Sequence, residues 1–113
     1  MTMGQLRAMG MNPPLDELLR RVDLDRVADV CRRYGVAELA VFGSRARGDA
    51  SADSDLDLLY SLAPGQHLGF SLNRLEDELA EAFGCRVDLV SKAALHRLIR
   101  SEVLSESQVL YAA

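Results

Sequence analysis

The feature that most constrains the fold of this chain is a short apolar run, VAELAVF (Val36–Phe42), closed at both ends by glycine, Gly35 and Gly43. A run this short and this apolar, with glycine on either side, predicts a buried strand rather than a helix. The flanking sequence supplies the elements around it. Upstream, Pro13 and Pro14 suit the opening of a helix, where the missing N–H groups cost nothing. Leu15, Leu18, Leu19 and Val22 follow at helical spacing. Leu24, Val27, Cys31 and Tyr34 continue the pattern with a slipped phase, which predicts a bend near Asp23. Gly35 is the natural stop. Residues 1–12 lack apolar periodicity and read as a flexible lead-in, which leaves residues 13–113 as one domain.

Downstream, residues 43–54 are rich in Gly, Ser, Ala and Asp and read as a turn, a short helix and a loop. The segment DLDLLY (55–60) predicts a second strand, closed by Pro64-Gly65. Leu68, Leu72, Leu75, Leu79 and the Ala82/Phe83 pair mark one face of an amphipathic helix that ends at Gly84. RVDLV (86–90) predicts a third strand, with Asp88 on the face opposite Val87 and Leu89. Ser91 is expected to cap a last helix with Leu95, Leu98, Ile99 and Val103 along one side, and residues 108–111 form a short terminal strand. This order of elements predicts an α+β (α/β-like) domain with a small mixed sheet flanked by helices.

Composition enters mainly by exclusion. No apolar run approaches the length of a membrane span, and the first residues have no continuous hydrophobic stretch of the secretory kind. Acidic residues outnumber basic ones, 17 to 13, so a general affinity for nucleic-acid backbones is not expected. Cys31 and Cys85 stand far apart without metal-ligand spacing and read as buried thiols of a cytoplasmic protein.

The chemistry concentrates in GSRARGDASADSDLDL (43–58). Asp55 and Asp57 are two apart on the predicted strand, so their side chains share a face. Paired carboxylates repel, and a divalent cation removes the conflict; Mg²⁺ favours carboxylate and phosphate oxygens together. Asp88, on another strand, can supply a third ligand, and three carboxylates can hold two metal ions for phosphoryl displacement. Gly43 and Ser44 follow directly on the buried strand, where glycine permits close backbone approach to phosphate. Arg45 and Arg47 add positive charge, yet Asp49, Asp53, Asp55 and Asp57 outnumber them. Such a stretch repels a triphosphate unless a metal accompanies it.

Competing motifs fail on their own terms. Read as a calcium loop beginning at Asp53, the sixth position is Leu58 and the twelfth Pro64, neither of which fits. The phosphate-binding GxxxxGK[ST] loop is absent. His67 and His96 are isolated, and Ser44 lacks the partners of a hydrolase triad.

Gly43-Ser44, ten intervening residues and then Asp55-Leu56-Asp57 resemble the GSx10DxD signature of the DNA polymerase β-like nucleotidyltransferase superfamily. Within it, GSRARG, SDLDLL, the leucine-rich helix ending at Gly84 and RVDLV are similar to the minimal nucleotidyltransferases, MNT. The resemblance implies the nucleotidyltransferase fold, with Asp55, Asp57 and Asp88 as catalytic residues and metal ligands, Asp88 also as a base. It implies nucleotide binding by Gly43, Ser44, Arg45 and Ser54, with ATP as substrate and two Mg²⁺ ions. Members pair with a HEPN-domain RNase toxin; the MNT partner is the antitoxin and transfers AMP to a tyrosine of the toxin. Two alternatives remain open. One is an antitoxin that acts by binding alone; the other is a nucleotidyltransferase for a small hydroxyl compound, working with a companion subunit.

Overall fold

A computed structural model describes residues 13–47 and 55–113. The expected lead-in of residues 1–12 and the loop position Ser54 lie outside the described residues. Helix α1 (Pro13–Arg20) and helix α2 (Leu24–Arg33) are separate elements, so the slipped phase near Asp23 is a break rather than a bend. Asp23 causes it: its carboxylate accepts the Arg26 N–H at 3.2 Å and caps α2. An aspartate in that position satisfies one of the N–H groups that a helix start leaves without a partner.

Strand β1 (Val36–Phe42) leads into a short helix α3 (Ser44–Arg47), and strand β2 (Leu56–Leu62) follows. A 3₁₀ turn (Gly69–Ser71) opens helix α4 (Leu72–Phe83), which stops at Gly84 in the left-handed region, φ 74°. Strand β3 (Val87–Ser91), a second 3₁₀ turn (Lys92–Ala94), helix α5 (Arg97–Glu106) and strand β4 (Gln108–Ala112) complete the described chain. The sheet order is β3-β2-β1-β4. β1 is antiparallel to both β2 and β4, whereas β2 and β3 are parallel. The α4 crossover supplies the long connection that a parallel pair requires. The mixed sheet with helices is the α+β arrangement the periodicities predict.

One face of the sheet carries the core. Leu39 and Val41 of β1 and Leu56 and Leu58 of β2 are fully enclosed with Val27, Val30 and Cys31 of α2 and Leu75 and Leu79 of α4. Each such aliphatic side chain contributes about 1.5–3 kcal/mol by leaving water. Burial pushes the Cys31 thiol up to about 11, partly offset by Arg32, so this sulfur is a packing group rather than a nucleophile. Cys85 is only half-buried, at the end of α4. Around the rim, Arg26 pairs with Glu81 at 2.8 Å, Arg33 pairs with Glu78 at 2.8 Å, and the Tyr34 hydroxyl donates to Glu78. These contacts tie α2 to α4.

Helix α5 departs from expectation at its start. Ser91 does not cap it; the imidazole Nδ1 of His96 accepts the Leu98 N–H at 3.1 Å. The 3₁₀ turn between strand and helix moves the helix start five residues beyond the serine. The apolar side of α5 is open at two positions, with Leu98 84% and Ile99 49% exposed.

Candidate active site

The end of β1 and the start of β2 meet at the pair Phe42↔Asp57. One residue past that pair the chain must turn away from the sheet into α3, and Gly43 makes the turn at φ +77°. A side chain there is excluded twice. The backbone conformation is one that L-residues rarely adopt, and a Cβ would collide with the Asp57 carboxylate. Gly43 therefore lets the backbone lie against an acidic side chain. Ser44, the first residue of α3, is partly buried, and the Arg47 N–H closes the turn onto the Gly43 carbonyl at 3.0 Å.

Across β2 from this turn, the parallel register sets Asp57 beside Asp88. Asp57 follows the pleat: Leu56 and Leu58 point into the core, so Asp57 faces the other way. Asp88 does the same between Val87 and Leu89 and is exposed. The Asp57 carboxyl is pushed up, first by burial, then by the negative charges of Asp88 and Asp55, against a smaller lowering by Arg47. Asp57 thus feels the charge of both other carboxylates. Asp55 lies just before β2 rather than on it, and its carboxylate pairs with Arg86 at 3.0 Å in an exposed contact.

Among the described residues no three acidic, histidine or cysteine side chains converge into a preformed metal cage. The donor set nonetheless fits Mg²⁺, which takes one or two carboxylates and completes its shell with water and phosphate. Asp57 is the carboxylate most in need of a cation, since two like charges already oppose its ionisation. Asp88 and Asp55 stand next in line.

Of the expected nucleotide-binding residues, Gly43 and Ser44 lie at the mouth of this carboxylate group. Arg45 has its place in α3, but its side chain, like Ser54, lies outside what the structure describes. A contact between distant segments escapes sequence reasoning: Arg47 donates to Glu106, the last residue of α5, at 3.0 Å. No local pattern signals a pairing across 59 positions. His67 is exposed in a loop and His96 serves as a cap, so neither takes part.

Known proteins share the sequence pattern and the fold. A family model described as a nucleotidyltransferase domain matches residues 24–110. The protein adenylyltransferase MntA of Thermococcus cleftensis is 43% identical over 74 residues, 66% of this chain and 74% of that protein. A solved structure described as a candidate minimal nucleotidyltransferase superposes with a TM-score of 0.67 at 40% identity, covering 87% of this chain and 97% of the other. A chain from the complex of a tri-AMPylated Shewanella oneidensis HEPN toxin with an MNT antitoxin gives a TM-score of 0.56. It is 18% identical, covers 80% of this chain and 70% of that one, and at this identity the likeness is one of fold.

Proposed function

The chain belongs to the nucleotidyltransferase domain family, and on that premise we propose that it is a Mg²⁺-dependent protein adenylyltransferase of antitoxin type, transferring AMP from ATP to a tyrosine of a HEPN-domain RNase toxin. The observation that carries this reading is the pairing of Asp57 with Asp88 across β2 and β3, with the Gly43 backbone lying against Asp57. Identity to a protein adenylyltransferase supports the AMP group and the protein acceptor. The fold shared with the HEPN–MNT complex supports the partner.

In the proposed reaction the tyrosine oxygen forms a bond to the α-phosphorus of ATP, the α–β phosphoanhydride bond breaks, and pyrophosphate leaves. The phenolic proton passes to a carboxylate of the site, for which Asp88 is the open, exposed candidate. Gly43 admits the triphosphate close to the main chain, and Ser44 offers a hydroxyl and an N–H to it. Asp57 and Asp88, with Asp55, would hold Mg²⁺. Bound there, the metal would supply Lewis-acid stabilisation of the phosphoryl charge that these three aspartates would otherwise repel. The adduct places a negative charge and a bulky nucleoside on the toxin, enough to disable a nearby catalytic motif.

The test is incubation of the chain with ATP, Mg²⁺ and a HEPN-domain protein from the same organism, followed by intact-mass measurement. The expected result is a partner heavier by whole AMP units, absent when Asp55 and Asp57 are both changed to Asn. Modification that continues with both changes sinks the assignment. Toxin neutralisation that survives them without any mass increase assigns the chain to inhibition by contact.

A further inference from the structure

A surface helix normally turns an apolar stripe to the body of its protein and its polar residues to water. α5 does so only in its second half. Val103, Leu104 and Glu106 are partly covered, whereas residues 96–102 are exposed without a break, and no residue of the helix is fully buried. Residues 97–100 make about one turn, so their side chains point all round the helix axis. Leu98 and Ile99 therefore stand open to water together with Arg97 and Arg100 on either side of them.

Two properties of this turn are unfavourable in the chain by itself. Single exposed apolar residues are ordinary, but here two large ones are adjacent. The turn also carries two arginines and no acidic residue, although the N-terminal end of a helix favours negative charge. Among the described residues no carboxylate pairs with either arginine; Arg100 donates to the Lys92 carbonyl at 3.1 Å. An apolar cleft edged with carboxylates on another protein relieves both properties at once. It takes Leu98 and Ile99 out of water and brings negative charge to the arginines and the helix end. A nucleic acid would meet the arginines and leave the two apolar side chains in water.

We propose that residues 97–100 of α5 are the docking element for the protein acceptor, seated in an apolar cleft of that protein bordered by Asp or Glu side chains. The proposal rests on the reading that AMP is transferred to a protein. The far end of α5 connects this turn to the chemistry: Glu106 pairs with Arg47 of α3 at 3.0 Å, and α3 begins at Ser44. From Ile99 to Glu106 the helix rises about 10 Å, so a protein holding the first turn borders the carboxylate site.

The test is calorimetric binding of the full chain to a HEPN-domain protein from the same organism, with AMP transfer to it measured in parallel. Leu98→Gln combined with Ile99→Gln is expected to weaken binding about 10-fold or more. Arg97→Glu combined with Arg100→Glu should weaken it by about as much and remove most of its salt dependence. Both double variants should raise KM for the protein acceptor and leave kcat nearly unchanged. The charge-reversed variant should melt no lower than the unmodified chain, since acid replaces base in the first turn. Phe70→Ser, which removes an exposed aromatic from the turn that opens α4, should bind as the unmodified chain does.

Unchanged binding in either double variant overturns the proposal, and AMP transfer by the unmodified chain then keeps the enzymatic reading standing. Self-association or adsorption to anionic vesicles that both double variants abolish overturns it as well, by assigning the turn to a second copy or to a membrane surface. If the unmodified chain neither binds nor modifies the HEPN-domain protein, the acceptor reading itself fails and the proposal goes with it. Binding that both double variants weaken, without any AMP transfer, upholds docking on that protein and removes the enzymatic reading.

Discussion

The two faces of the sheet are built from the same strands and do opposite things. On one, Leu39, Val41, Leu56 and Leu58 are sealed against α2 and α4. On the other, the alternate positions of those strands include Ala40 and Leu59, which are also buried, and then Asp57, with Asp88 beside it on β3. Towards one end of the sheet, that second face changes from packing to charge within two residues of β2. Its acidity is only partly compensated, by Arg47 and Arg86, and the Asp57 carboxyl stays raised. The buried face packs for stability; the acidic end keeps an electrostatic conflict that a bound cation would relieve. Strained or repulsive groups of this kind are tolerated where the rest of the fold over-determines them.

Substitutions that separate stability from activity test this contrast. The largest effect is expected from Asp57→Asn. Nucleotidyl transfer, followed with labelled ATP, should fall by about 10²–10³-fold or more, whereas the melting temperature at neutral pH should rise by a few degrees or less. The sign follows from linkage. The folded-state pKa of Asp57 lies above its unfolded value, so ionisation above that pKa costs stability. The cost is absent below the unfolded value and grows as pH rises through the folded one. The stabilisation by Asn should therefore be full near pH 7 and vanish as the pH falls to the ordinary aspartate range. A lower melting temperature for Asp57→Asn at pH 7 would remove the idea that the acidic end is held under repulsion.

On the sealed face, Leu75→Ala should cost about 2–5 kcal/mol in denaturant unfolding and leave transfer per folded molecule nearly intact. Gly43→Ala joins the two faces. A Cβ at φ +77° against Asp57 should cost about 1–3 kcal/mol and reduce nucleotide binding together with stability. Loss of only one of the two would show that the turn and the carboxylate are less tightly joined than the geometry states. The smallest effect belongs to the rim: Arg26→Gln should lose less than about 1 kcal/mol, diminishing further with added salt.

How much of this was legible in the sequence differed by element. The strands were readable because their apolar runs end at glycine or proline, and β4 was readable from its short terminal run. The shared face of Asp57 and Asp88 was readable because alternation along a strand dictates which side chains share a face. Asp55 is the exception in detail: it precedes β2, and its partner Arg86 comes from the segment before β3. Helix α5 was misread in its cap. Periodicity identifies an apolar side but not what covers it, so the exposure of Leu98 and Ile99 was not legible. Ser91 resembled a cap in sequence, whereas the intervening 3₁₀ turn gave that task to His96. Arg47 was visible as a charge, but its tie to Glu106 depends on tertiary structure alone.

The sheet order has a further consequence for the two principal carboxylates. β2 has a hydrogen-bonded neighbour on each side, and among the described residues β3 has one on only one side. Amide protons along β2 should therefore exchange with solvent more slowly than those along β3. Asp57 is mounted on a strand held from both sides, and Asp88 on one held from a single side.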